Sequence, residues 1–189
     1  MLILFSIFQI YLSMSDAKTG TQPYQVIKTE AEFEIRLYPS ATIALIKSTT
    51  NTYKELSSSG FRKLAGYIFG GNDAQQSISM TTPVHMDIRS DTSTMAFVMP
   101  SNFTKENLPK PNDSDVIIQQ TKEEYVAAIR FGGYASDAEI RSYSEKLENA
   151  LNKAGVGHAD NYRFLGYNAP YQVAGRRNEI IVEVVWNVE

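Results

Sequence analysis

The chain contains no cysteine among its 189 residues, and this absence excludes several chemistries. Disulfide bonds, thiolate nucleophiles, iron–sulfur clusters and cysteine zinc sites all require that residue. Histidine occurs only twice, at His85 and His158. A metal site built from several histidines of one chain is therefore not expected.

Excess positive charge and catalytic motifs are also missing. The net charge is −3, so the overall field favours neither nucleic acid nor an anionic membrane surface. The sequence has no HExxH motif, no phosphate-binding loop and no Ser–His–Asp set that can be placed. Acidic pairs such as Glu123-Glu124 are typical of a solvated surface, although the residues alone leave a carboxylate-based hydrolase open. We expect a protein that is not an enzyme, has no catalytic residues and does not bind nucleic acid.

No hydrophobic run reaches the roughly 20 residues that a membrane-spanning helix needs. The amino end, MLILFSIFQIYLS, is uncharged and has the length of a signal-peptide core, but it lacks a basic start. We assign residues 1–15 to a signal peptide or to an uncleaved apolar arm, and residues 16–23 to a linker. The protein would be exported or periplasmic in the first case and cytoplasmic in the second. Membrane contact is expected only through an uncleaved segment.

The remaining chain reads as alternating strands and helices in two similar halves. A Thr-x-x-Glu box at Thr52 and a Ser-x-x-Glu box at Ser136 each predict the start of a helix. A proline-containing loop, residues 101–115, separates the halves. The first half predicts strands at 33–37 and 41–47, a helix at 52–69, and strands at 76–88 and 95–99. The second predicts strands at 116–120 and 125–131, a helix at 136–154, and strands at 162–167 and 178–186.

Strands interrupted by one helix per half favour an α+β fold with a mostly antiparallel sheet. We predict one domain over residues 24–189, with pattern repeats at about 24–100 and 115–187. The fold would be a distorted β-barrel of about eight strands with two helices packed on it. The protein is expected to be a monomer.

The stretch from Gly60 to Met86 carries most of the functional interpretation. Its helix contains Gly60 and Gly66, and Gly70-Gly71-Asn72 stops it. The two helical glycines serve either helix–sheet packing, which we favour, or the close approach of a ligand. The strand that follows alternates apolar and polar residues, so this helix and strand together could form the wall of a pocket.

Several motifs, in order along the chain, resemble the SOUL haem-binding family. They cover about Tyr24 to Val185, and they are FEIRLY (33–38), GFRKL (60–64), MTTPV (80–84), FVMP (97–100), RFGGY (130–134), GYNAP (166–170) and RRNE (176–179). The resemblance implies a distorted barrel of two fused halves that binds a tetrapyrrole without a known catalytic step. The wider superfold includes small-molecule-sensing domains of transcription regulators.

The resemblance also implies a haem groove along the first helix. Four apolar residues would contact the ligand and two cations would pair with its propionates: Phe61, Leu64, Ala65 and Ile68, with Arg62 and Lys63. Ordinary core packing for the apolar residues, and a solvated face for the cations, are the alternative interpretations. The expected cofactor is non-covalent haem or another porphyrin, bound for buffering or transport. A sensing or protein-interaction module that uses the same groove is the alternative function.

Iron ligation departs from the family pattern. Some members place a histidine in the first strand, where this chain has Leu37. His85 is the candidate metal ligand in its place, because a neutral imidazole can ligate iron. A hydrogen-bonded histidine with no metal is the interpretation we favour. Haem would then be held without an axial ligand from the protein.

Overall fold

The computed structural model describes residues 20–169 and 171–186, so residues 1–15 and the start of the linker lie outside the described part. The described chain forms nine strands and two helices. In order they are β1 (Gln25–Thr29), β2 (Glu34–Tyr38), β3 (Thr42–Ser48), α1 (Tyr53–Ile68), β4 (Val84–Asp87), β5 (Ser93–Val98), β6 (Ile117–Gln120), β7 (Glu124–Phe131), α2 (Asp137–Ala154), β8 (Arg163–Gly166) and β9 (Asn178–Glu183).

The nine strands of the described chain join one curled sheet in the order β1-β2-β7-β9-β8-β4-β5-β3-β6, and neighbouring strands are antiparallel throughout. The predicted α+β class and distorted barrel are confirmed. The strand missing from the prediction is β1, an edge strand with mostly exposed or half-buried side chains. Its sequence therefore lacks the apolar face that marks a half-buried strand.

The two halves exchange their first strands. Strand β2 of the first half pairs with β7 of the second, while β6 of the second half pairs with β3 of the first. From the junction of β8 and β4 outward, the order on each side is therefore equivalent, except that the edge strand β1 has no counterpart in the second half. Neither half has a complete sheet without the other, which favours folding as one unit.

Both helices pack on the same side of the sheet, and each is capped as its box predicts. The side chains of Thr52 and Ser136 accept hydrogen bonds from the backbone N–H groups of Glu55 and Glu139, each at 3.3 Å. Helix α1 packs on β3 and β5, and α2 packs on β7 and β9. A large apolar core fills the space between helices and sheet.

The opposite face of the sheet carries a smaller apolar cluster, which neither of the two described helices covers. Its buried members are Tyr38, Val126, Ala128, Leu165 and Ile181. Successive residues of a strand point to opposite faces. The polar residues Arg36, His85 and Glu179 therefore belong to this second face, because their strand neighbours Ile35, Met86 and Ile180 lie in the main core.

The predicted strand at 76–88 is wrong over most of its length, because only Val84–Asp87 is a strand. The backbone N–H of Thr82 donates to Gly20 O at 2.9 Å, and the hydroxyl of Thr81 donates to Val98 O at 2.6 Å. Pro83 has no N–H to donate to a ladder. Thr82 is thus tied to the chain entering the domain, and Thr81 is tied to the end of β5 through its side chain, so neither residue extends β4.

Candidate functional site

The inner face of helix α1 is committed to the core. Leu64 and Ile68 are 0% and 1% exposed beneath the helix. A Cβ added at Gly60 would lie 3.2 Å from both Ile46 Cδ1 and Met95 Sδ. Gly60 therefore allows close helix–sheet packing, as the favoured interpretation predicts.

This placement separates the predicted groove residues into two groups. The side chains of Leu64 and Ile68 lie under the helix and could support a ligand only indirectly. Phe61 and Ala65 are half-buried, while Arg62 and Lys63 are exposed. The structure thus brings four of the six predicted residues to the surface of α1.

An apolar stripe runs along the outer side of α1. It consists of Phe61, Ala65 and Phe69, which are four residues apart and so lie above one another on a helix. Phe69 is 68% exposed, an unusual state for a large apolar side chain. A Cβ added at Gly66 would meet nothing within 4 Å. We call Phe61, Ala65 and Phe69 the outer stripe.

The outer stripe is bordered by strand β5 at Phe61 and by the turn that follows Phe69. The ring of Phe61 packs edge-to-face on Phe97 of β5, with 5.3 Å between centroids. After Phe69, Gly70 has a φ of +104°, a backbone conformation that favours glycine. The N–H of Gly71 then donates to Gly66 O at 2.8 Å. This fixed turn ends the helix as predicted and leaves Phe69 at the surface.

Phe69 is the last residue of the helix predicted at 52–69, but it was not among the predicted groove residues. The signal was present as the spacing of Phe61, Ala65 and Phe69, which continues the stripe by one more turn. The helix ends at Ile68, and Phe69 is its C-terminal cap residue.

The two cations beside the outer stripe differ in availability. Lys63 Nζ forms an exposed ion pair with Asp115, and this hydrogen bond raises the pKa of Lys63. Arg62 is exposed and has no ion pair among the described residues. Arg62 is therefore the cation free to meet an anionic group at this surface.

His85 lies away from α1, on the second face of the sheet. Its Nε2 donates a hydrogen bond to Gln22 Oε1 at 2.7 Å. Burial, together with the charge of Arg163, lowers the pKa of His85 from 6.5 to about 3. The imidazole is therefore neutral at pH 7, with Nε2 already engaged by Gln22.

The described residues contain neither a cluster of metal-ligating side chains nor a membrane-spanning helix. Across residues 20–169 and 171–186, no three acidic or histidine side chains are grouped so that they could hold a metal ion. No helix within these same ranges has the length and apolarity needed to cross a membrane. Three clefts, of about 520, 320 and 490 Å³, open on the described surface, and none of these three includes a residue of α1.

The architecture defines a fold class. Two halves that exchange a strand form one curled antiparallel sheet, and two helices pack on one face of it. The sequence model for the SOUL heme-binding protein family matches residues 19–183. The chain belongs to this family.

Curated relatives agree with the assignment. The chain is 28% identical over 171 residues to Heme-binding protein 1 of Sus scrofa, covering 85% of this chain and 90% of that protein. It is 29% identical over 156 residues to Heme-binding protein 2 of Homo sapiens, covering 78% and 76% respectively.

Solved structures extend the likeness at the level of fold alone. The C-terminal domain of EcmrR superposes with a TM-score of 0.60 at 12% identity, over 86% of this chain and 98% of that domain. A structure described as a hydrolase from Listeria innocua gives a TM-score of 0.59 at 11% identity, over 84% and 94%.

Proposed function

We propose that this protein binds haem or a related tetrapyrrole on the outer stripe of α1, without catalysing a reaction on it. The observation that carries the proposal is the exposed apolar stripe beside the unpaired Arg62, in a member of a haem-binding family. Such binding would serve to buffer or transport the ligand.

The surface suits a flat molecule with acidic groups at its edge. Phe61, Ala65 and Phe69 offer apolar area, and Gly66 leaves open space beside them. Arg62 can grip a propionate carboxylate through two parallel N–H groups. Lys63 could join it only by leaving Asp115, so we assign it the lesser role.

Iron ligation contributes little in this proposal. His85 lies on the far face of the sheet with its Nε2 bound to Gln22, and Leu37 occupies the strand position where some family members have a histidine. Affinity would come from buried apolar area, at about 25 cal/mol per Å², and from the propionate contact. Haem and iron-free protoporphyrin IX are then expected to bind with similar affinity.

The test is a titration of the purified protein with haem, followed through the Soret band. Ala65→Glu places a carboxylate in the middle of the outer stripe, where it would repel the propionates. The control is Ala138→Glu, the same change at an exposed position of α2. We expect Ala65→Glu to weaken haem binding at least tenfold, by roughly 1.4 kcal/mol, and Ala138→Glu to leave it unchanged.

Equal affinity in both variants would remove the outer stripe from the site. Leu64→Asp is not a suitable probe, because a carboxylate at a fully buried position tests folding and not binding. His85→Ala should retain the Soret shift if it stays folded. Loss of the shift in that variant would make His85 the iron ligand.

A second candidate function uses the same surface as a sensing or protein-interaction module. The 68% exposure of Phe69 favours it, because exposed apolar patches commonly mark interaction sites. Preference for a flat apolar molecule that is not a porphyrin, over haem in the same titration, would support this alternative.

A further inference from the structure

The second face of the sheet contains a cleft that the proposed haem site does not use. Its volume is about 490 Å³, within the range of small-molecule sites. The β1–β2 hairpin forms one wall, and β7 and β9 form the floor. Arg36, Arg130, Arg177 and Glu179 line it, together with Tyr24 and Val26.

The carboxylate at the floor of the cleft has no free acceptor capacity. Glu179 is 0% exposed and accepts hydrogen bonds from both terminal nitrogens of Arg36, at 2.7 and 3.2 Å. It also accepts from Arg177 Nε at 3.0 Å and from the Tyr167 hydroxyl at 2.9 Å. A carboxylate offers about four acceptor positions, so these four bonds occupy it. Glu179 therefore cannot be the group that recognises a cation.

The donors in the cleft are not all used. Arg177 donates through Nε to Glu179 and through Nη2 to the Tyr24 hydroxyl, while its Nη1 donates to none of the described residues. Arg130 stands opposite Glu179 in the β7–β9 register, yet within the described chain it has no ion pair. Since a guanidinium carries five N–H donors and no acceptor, the spare capacity of these two residues suits an anion.

The other carboxylates of the cleft are mostly engaged. Glu34 accepts from Arg36 Nε at 2.8 Å, and Glu30 pairs with Lys28 at 2.7 Å. Glu32, at the rim, is the lining carboxylate without an ion pair among the described residues. Its negative charge would oppose the entry of an anion by repulsion.

From this inventory we propose that the cleft binds a small organic acid with an apolar body. The carboxylate would lie between Arg130 and Arg177, where a planar guanidinium can hold it through two N–H groups. The apolar body would lie against the Tyr24 ring and Val26. The site is independent of haem binding, because Arg130 lies between Ile129 and Phe131 of the main core and so points to the face away from α1.

The test is calorimetric titration of the full chain with naphthoate and with its uncharged counterpart naphthamide. Naphthoate should bind, and naphthamide should bind at least tenfold more weakly, because only the acid gives charge-assisted hydrogen bonds. Arg130→Gln should weaken naphthoate binding about tenfold. Arg141→Gln, the same change at an exposed position of α2, should not alter it.

The other outcomes decide against the site. No naphthoate binding at millimolar concentration, or equal affinity in Arg130→Gln and the wild type, would overturn the proposal. Glu32→Gln should bind naphthoate at least as tightly as the wild type, because it removes a negative charge from the cleft lining, and weaker binding would contradict an anion site there.

A carboxylate here could also come from the propionates of haem. Saturation with haem should leave naphthoate binding unchanged, since the two sites lie on opposite faces of the sheet. Competition that is lost in Arg130→Gln would show that the cleft holds haem propionates and would overturn the assignment to a free acid. Failure to bind haem at α1 would leave the naphthoate result intact.

Discussion

Arg36 and Glu179 are 143 residues apart and form a buried two-point ion pair, with Nη1–Oε2 at 2.7 Å and Nη2–Oε1 at 3.2 Å. Arg36 is in register with Val126, and Glu179 with Arg130, so the pair crosses β7 diagonally. The small side chain of Ala128 lies between these two positions on the same face. The pair thus ties the first strand of one half to the last strand of the other.

Glu179→Gln is expected to destabilise the fold by about 3 kcal/mol, because it removes the buried counter-charge of Arg177 and leaves Arg36 with only the half-buried Glu34. Urea denaturation at pH 7 measures this change. The control is Glu30→Gln, which affects only the exposed pair with Lys28 and should cost less than about 1 kcal/mol. Equal stability of the two variants would show that the buried pair contributes little.

The carboxylate of Glu179 should also make the stability of the fold depend on pH in the acidic range. Burial raises the pKa of Glu179, but Arg36 and Arg177 lower it by more, so the pKa lies below its ordinary 4.5. A lowered folded-state pKa contributes stability above about pH 4.5 that is lost as the pH falls through the folded-state value. Glu179→Gln should lack this acid-dependent loss.

His85 predicts a second pH dependence at milder acidity. Its pKa falls from 6.5 in the unfolded chain to about 3 in the folded one, so the unfolded state binds the extra proton between these values. Stability should therefore fall with decreasing pH below about 6.5, by up to about 1.4 kcal/mol per pH unit. Urea denaturation between pH 7 and pH 5 should show a steeper slope in the wild type than in His85→Gln. His158→Gln serves as the control, and a slope unchanged by His85→Gln would contradict the buried neutral state.

Two glycines at the end of α1 should respond oppositely to the same substitution. Gly66→Ala should stabilise the protein by up to about 1 kcal/mol, because an added Cβ meets nothing within 4 Å and alanine favours helix. Gly71→Ala should destabilise it by more than about 1 kcal/mol, since the added Cβ would lie 2.6 Å from Gly66 O. Thermal unfolding of both variants measures the difference. Similar shifts in the two would mean that the turn relaxes to admit the methyl group.

The sequence predicted those elements in which local pattern and tertiary contacts agree. The boxes at Thr52 and Ser136 placed both helices to within a residue or two, because a cap is a local interaction. The strand predicted at 76–88 was mostly wrong, because the hydrogen-bond partners of Thr81 and Thr82 lie far along the chain. The strand exchange between the halves could not be predicted either, because the periodicity of a strand does not indicate which other strand it pairs with.

The candidate site was predictable only in part for a related reason. Periodicity on α1 identifies apolar residues but does not distinguish fully buried ones from half-buried ones at the border with solvent, so Leu64 and Phe61 were both predicted to contact the ligand. The structure separates them by the packing of α1 on β3 and β5. The ion cluster around Glu179 had no local signal, since Arg36 and Arg177 approach it from different strands and loops.

We propose that the tetrapyrrole binds on the outer stripe of α1 and not on the second face of the sheet. The most direct measurement is amide NMR of the full chain with and without haem, because the paramagnetic iron broadens the signals of residues close to it. The account predicts broadening at Phe61, Ala65 and Phe69, with the signals of His85 and Arg130 retained. Broadening at His85 and Arg130, with the outer stripe unaffected, would contradict it.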